Sequence, residues 1–112
     1  MTRPSRLRFD NMIAALRAAG EPTRLRLVIL LNEAELTVSD MVDILGQSQP
    51  RISRHLKLLL EAHVIERVKE GSWAFFRATS DGPGGAAVRA LVELADPQDV
   101  ILVRDRERLG EV

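Results

Sequence analysis

Arg51, Arg54 and Lys57 place three cations close together, and Ser48, Gln49 and Ser53 set hydroxyl and amide groups among them. A guanidinium can grip a phosphate or the edge of a guanine with two hydrogen bonds. A carboxamide can do the same for adenine, and hydroxyls serve either. Residues 47 to 57, which also include Pro50 and His55, contain no acid. This is the chemistry of holding a polyanion and reading its edges. The inventory for making and breaking bonds is poor by comparison. The chain has no cysteine, which removes thiolate nucleophiles, thiolate metal sites and disulfides. No nucleophile stands at a recognisable spacing from a base, and no phosphate loop or metal cluster is evident. The expectation is therefore a binding protein without a cofactor, not an enzyme.

An amphipathic helix with a solvated basic face would carry the same cations, so the elements that position them decide between the two readings. Thr37 with Asp40 three residues later has the form of a capping box. Val38, Met41, Val42 and Leu45 then recur at helical spacing, and Gly46 supplies a residue that can close the helix in the left-handed conformation. Ser48 is placed to cap the next helix, in which Ile52, Leu56, Leu59 and Leu60 form one apolar stripe while Arg51, Arg54, His55 and Lys57 point elsewhere. Residues 36 to 62 thus read as two helices joined by a tight turn, a helix-turn-helix with its polar end at the start of the second helix. Leu58 interrupts the polar face and is expected to be covered by the turn or by the segment that follows.

That following segment, Val64 to Arg77, has two runs rich in β-branched and aromatic residues on either side of Gly71-Ser72, the pattern of a β-hairpin. A hairpin directly after a recognition helix is a wing. Its tip, Lys69, Gly71 and Ser72, is polar, and the glycine lets the backbone approach a groove closely. Trp73, Phe75 and Phe76 are expected to pack at the hairpin base.

Upstream, Phe9, Met12, Ile13 and Leu16 give a first helix ending at Gly20, and Pro22 opens a second whose LRLVILL stretch belongs at the centre of the core. Downstream, SDGPGG reads as a loop. The helix after it carries Ala87, Val88, Leu91, Val92 and Leu94. These terminal helices hold more apolar surface than one small domain readily buries, so a homodimer interface is expected from Phe9, Met12, Ile13, Leu16, Val88, Leu91 and Val92. Asp96 could cap a further helix. The whole is mainly α with a small β-hairpin, an α+β winged helix-turn-helix. It divides into a polar arm at 1–8, the DNA-binding and dimerisation domain at 9–96, and a charged C-terminal helix or connector at 97–112.

A chain of 112 residues suffices for one such domain. Its 16 basic and 16 acidic residues cancel, but the cations cluster at residues 47 to 57 and, as Arg3, Arg6 and Arg8, in the arm, whereas the segment from Asp96 is acidic on balance. A local positive patch survives neutrality. Leu27 to Leu31, the longest apolar run, is too short to span a bilayer, and a cytoplasmic location is the default.

Glu21-Pro-Thr-Arg-Leu25, then Gln47 to Lys57 with its S-R-H-L-K core, then the Val64 to Arg77 hairpin together resemble the ArsR/SmtB family of winged-helix repressors over roughly residues 9 to 96. The resemblance implies a homodimer that binds inverted-repeat operators and releases them on an inducing signal. By the same resemblance, Ser48, Gln49, Arg51, Ser53, Arg54, His55 and Lys57 face double-stranded DNA, and the wing adds Lys69 to Ser72. The family's metal sites use cysteines or paired histidines with acids. This chain has only His55 and His63, so a metal inducer is not expected. Residues 96 to 112 are also similar to the connector that precedes a methyltransferase domain in longer chains, although a free regulator fits them equally. A winged-helix module that docks a protein partner and never reads DNA is the alternative, favoured by the neutral net charge.

Overall fold

The computed structural model describes residues 6–112; residues 1–5, and with them Arg3 of the expected arm, lie outside the described residues. The apolar run lies at the centre of the molecule. Leu27, Val28, Leu30 and Leu31 are buried in α2 (Pro22–Glu33), and α1 (Phe9–Ala19), α4 (Gln49–Glu61), α5 (Gly82–Leu94), α6 (Val100–Leu109) and strand β2 (Trp73–Ala78) all pack on it. Pro22 stands in its first turn, where a missing N–H costs nothing.

α3 (Val38–Leu45) begins at the capping box: Asp40 N–H donates to Thr37 Oγ1 at 3.2 Å and Thr37 N–H to Asp40 Oδ2 at 3.0 Å. It ends at Gly46, whose φ of 65° is left-handed. Ser48 caps α4 by accepting from Arg51 N–H at 3.4 Å. Strands β1 (Ile65–Glu70) and β2 pair antiparallel from Ile65 opposite Ala78 to Glu70 opposite Trp73. A two-residue turn closes the hairpin, with positive φ at Gly71 and not at Ser72, as a type II′ turn requires. Leu36, just before α3, adds a bridge to Phe76 through two backbone hydrogen bonds of 3.0 and 2.8 Å. The wing is thereby tied to the start of the helix-turn-helix.

Two expectations about the C-terminal half are corrected. SDGPGG is not a loop throughout: α5 begins at Gly82 with Pro83 in its first turn. A Cβ at Gly84 would collide with the backbone carbonyl of His63, two residues past the end of α4, so the glycines permit a close backbone approach here. Asp99, not Asp96, caps α6, accepting from Ile101 N–H at 2.9 Å. Within 97–112 the structure has the helical alternative, α6, and this helix is packed on the domain. Asp105 is 2% exposed and takes a bidentate pair from Arg26 of α2, Nε to Oδ2 at 2.8 Å and Nη2 to Oδ1 at 2.7 Å. Arg108 Nη1 donates to the carbonyl of Ile44 in α3 at 3.0 Å. No helix of the described residues is long and apolar enough to cross a membrane.

Candidate nucleic-acid interface

Ile52, Leu56 and Leu59 are buried and anchor α4 on the core. Ser48, Gln49, Pro50, Arg51, Arg54 and Lys57 are exposed, and Ser53 is half-buried. Gln49 Nε2 donates to Ser53 Oγ at 2.9 Å, one turn further on, which pre-orients the carboxamide along the helix. The cations of the described residues differ in their partners. Arg24, Arg26 and Arg77 are paired with internal carboxylates. Among the described residues, Arg51, Arg54, Lys57 and Lys69 make no such ion pair. Their charge is directed at solvent, where a phosphate can meet it without first displacing a carboxylate.

Lys69, Gly71 and Ser72 are exposed at the wing tip. Arg67, two residues before Lys69 and so on the same side of β1, is also exposed. It was not among the expected contacts, though strand alternation alone would have found it. Trp73 does not pack at the hairpin base: it is 65% exposed beside the turn, while Phe76 is buried and Phe75 half-buried. The alternation explains this, since Phe76 and Ala78 point inward and Trp73 lies on the opposite face.

His55 also departs from its expected place. It is buried, with Nδ1 3.2 Å from Arg24 Nη1 and 3.2 Å from Glu21 Oε2, so it does not face DNA. Leu58 is covered neither by the turn nor by the hairpin. It remains exposed along a shallow groove shared with Ala14, Arg17 and Ala18 of α1.

For the expected dimer surface, Phe9, Met12 and Leu16 are exposed, whereas Ile13, Leu91 and Val92 are half-buried. Val88 is 1% exposed and belongs to the core of a single chain, so it cannot serve an interface. Leu94, not among the expected residues, is 83% exposed at the end of α5.

A capped helix, a glycine-closed turn, a second helix with an outward cationic side and a β-hairpin behind it define a winged helix-turn-helix. Residues 21–67 match the family described as bacterial regulatory protein, arsR family. The arsenical resistance operon repressor of Escherichia coli is 42% identical over 76 residues, 67% of this chain and 65% of that protein. The HTH-type transcriptional regulator MJ1325 of Methanocaldococcus jannaschii is 32% identical over 90 residues, 80% of this chain and 96% of that protein. Among solved structures, the homodimeric winged helix-turn-helix DNA-binding domain of Mb0332 from Mycobacterium bovis superposes with a TM-score of 0.65 at 20% identity, over 92% of this chain and 85% of that one. The chain belongs to the arsR family of DNA-binding transcriptional regulators.

Proposed function

We propose that this chain is a homodimeric repressor that reads an inverted-repeat operator and leaves it in response to a non-metal signal. The observation that carries the DNA-reading part is the set of exposed, internally unpaired cations on α4, with Gln49 held among them. Arg51 and Arg54 take phosphates or guanine edges, Gln49 a base edge and Lys57 the backbone. The wing adds Lys69, Gly71 and Ser72. His55 is excluded from this set by its burial.

Support for a dimer comes from the apolar groove between α1 and α5, where Met12, Leu16 and Leu94 are exposed although their surroundings are apolar. A second copy seated there would present two recognition helices to successive major grooves about 34 Å apart, which makes the operator an inverted repeat. Support for a non-metal signal comes from the donors available in these residues: no thiolate, and one of the two imidazoles already occupied by Glu21 and Arg24. Any methyltransferase domain beyond Val112 would be joined to a body of which α6 is already a packed part.

The salt dependence of binding tests the function. Duplexes selected from a random pool should contain an inverted repeat. The logarithm of their affinity should fall linearly with the logarithm of salt concentration, with a slope of about −0.9 per phosphate neutralised. Neutral net charge favours the rival protein-docking module. The absence of any salt-dependent DNA binding would overturn the DNA-reading function and leave that rival standing.

A further inference from the structure

The two blocks Glu21-Pro-Thr-Arg-Leu25 and Gln47 to Lys57, far apart in sequence, meet in space. Glu21 Oε1 accepts from Thr23 N–H at 2.5 Å, capping α2, and its Oε2 turns toward His55. Arg24 Nη1 lies 3.6 Å from that same Oε2, and Arg24 Nε donates to the carbonyl of Ala18 in the last turn of α1 at 2.6 Å. Just before α4, Gln47 Nε2 donates to the buried hydroxyl of Thr23 at 2.9 Å. The recognition helix is thus held to the α1–α2 corner at two points, through Gln47 before its first turn and through His55 in its second.

The His55 attachment is ambivalent. Nδ1 faces a donor, Arg24 Nη1, and an acceptor, Glu21 Oε2, both at 3.2 Å, and can serve only one of them. Glu21 Oε2 and His55 Nε2 are buried without a hydrogen-bond partner. We infer that His55 is a positioning residue for DNA reading: its neutral ring fastens α4 to the α1–α2 corner, and a proton added to that ring loosens the attachment and lowers operator affinity.

This rests on the DNA-reading function proposed above. With the ring proton on Nε2, the Nδ1 lone pair accepts from Arg24. A second proton, on Nδ1, sets a donor against a donor, and only Glu21 then balances the charge. Arg24 of α2 and Arg51 and Arg54 of α4 oppose that charge, and Arg17 of α1 borders the adjoining groove. The Nε2–H, buried without an acceptor, is common to the two forms, so the difference between them lies at Nδ1. Burial is the chief reason the ring's pKa lies below the ordinary 6.5; Glu21 opposes the shift, and Arg24, Arg54 and Arg51 reinforce it. The neutral, fastened form therefore holds at neutral pH.

Acidification ordinarily adds positive charge and strengthens DNA binding, so the expected effect has the opposite sign to the bulk one. Affinity for a duplex selected at about pH 8 should fall about tenfold as pH is lowered to about 5 at fixed salt. The variant His55→Asn, whose Oδ1 can accept from Arg24 and which does not titrate, should bind as the wild type does at the upper pH and lose this fall. Affinity that is flat or rises in acid, or a fall that persists in the Asn variant, overturns the role of His55. Wild type that binds no duplex at either pH overturns the DNA-reading function, and the role of His55 with it. NMR titration of the wild type decides the matter even if the variant does not fold. The amides of Arg51 and Arg54 should shift together with those of Ala18 to Glu21, Thr23 and Arg24 as the His55 ring titrates, and a ring titration that leaves them unmoved overturns the inference.

Discussion

At the scale of single residues, Arg54 lies one turn beyond Arg51 on α4, exposed and, among the described residues, with no internal carboxylate partner. Arg54→Ala should weaken operator binding by about 1 to 3 kcal/mol while changing folding stability by no more than about 0.5 kcal/mol. A mobility-shift assay at fixed salt beside a thermal melt separates the two, and unchanged binding would refute the contact. The exposed cations were legible because a helical period leaves them opposite the Ile52, Leu56 and Leu59 stripe. His55 was not, although the same period places it beside Ile52 and Leu59. An imidazole suits a phosphate and a buried ion pair equally well, and its partners Glu21 and Arg24 lie in a distant segment that no local pattern reaches. Trp73 misled for a related reason. Bulk suggested burial, whereas strand alternation set it on the outer face.

At the scale of elements, α6 is held by one buried ion pair, beside the Arg108 bond to Ile44. Asp105→Ala would leave Arg26 enclosed, 17% exposed at its side chain, without a counter-charge, and should lower unfolding free energy by about 3 to 5 kcal/mol. Replacing both partners together, Arg26→Met with Asp105→Leu, should recover most of that loss. Urea unfolding of the three variants measures both, and an Asp105→Ala protein as stable as the wild type would mean that α6 does not need the pair. The helix-turn-helix and the hairpin were legible because their caps, turn glycines and apolar stripes are local signals. The docking of α6 was not. Alternating arginine and acid from Arg104 to Arg108 reads as a solvated surface, and the residue that buries Asp105 lies 79 positions away. The start of α5 was hidden too, because glycines that admit a close backbone contact have the composition of a loop.

At the scale of the whole molecule, the exposed Phe9, Leu16 and Leu94 ask for a covering partner. Wild type should sediment as a dimer at micromolar concentration, and Leu16→Glu, a change at an exposed position, should yield a folded monomer with much weaker operator binding. A monomeric wild type would count against the paired half-sites. Excess apolar surface on the terminal helices was legible from composition. Its division between core and interface was not, since α5 carries apolar groups on several sides and only packing assigns Val88 inward and Leu94 outward. Zero net charge likewise concealed how the charges are spread, because internal pairing neutralises some arginines and leaves those of α4 unmatched. Trp73 has one more consequence. It is the only tryptophan, and the chain has no tyrosine, so indole fluorescence from this protein originates at the wing alone. The molecule carries its own optical label at that one spot, and the surroundings of the hairpin tip can be followed without attaching a dye.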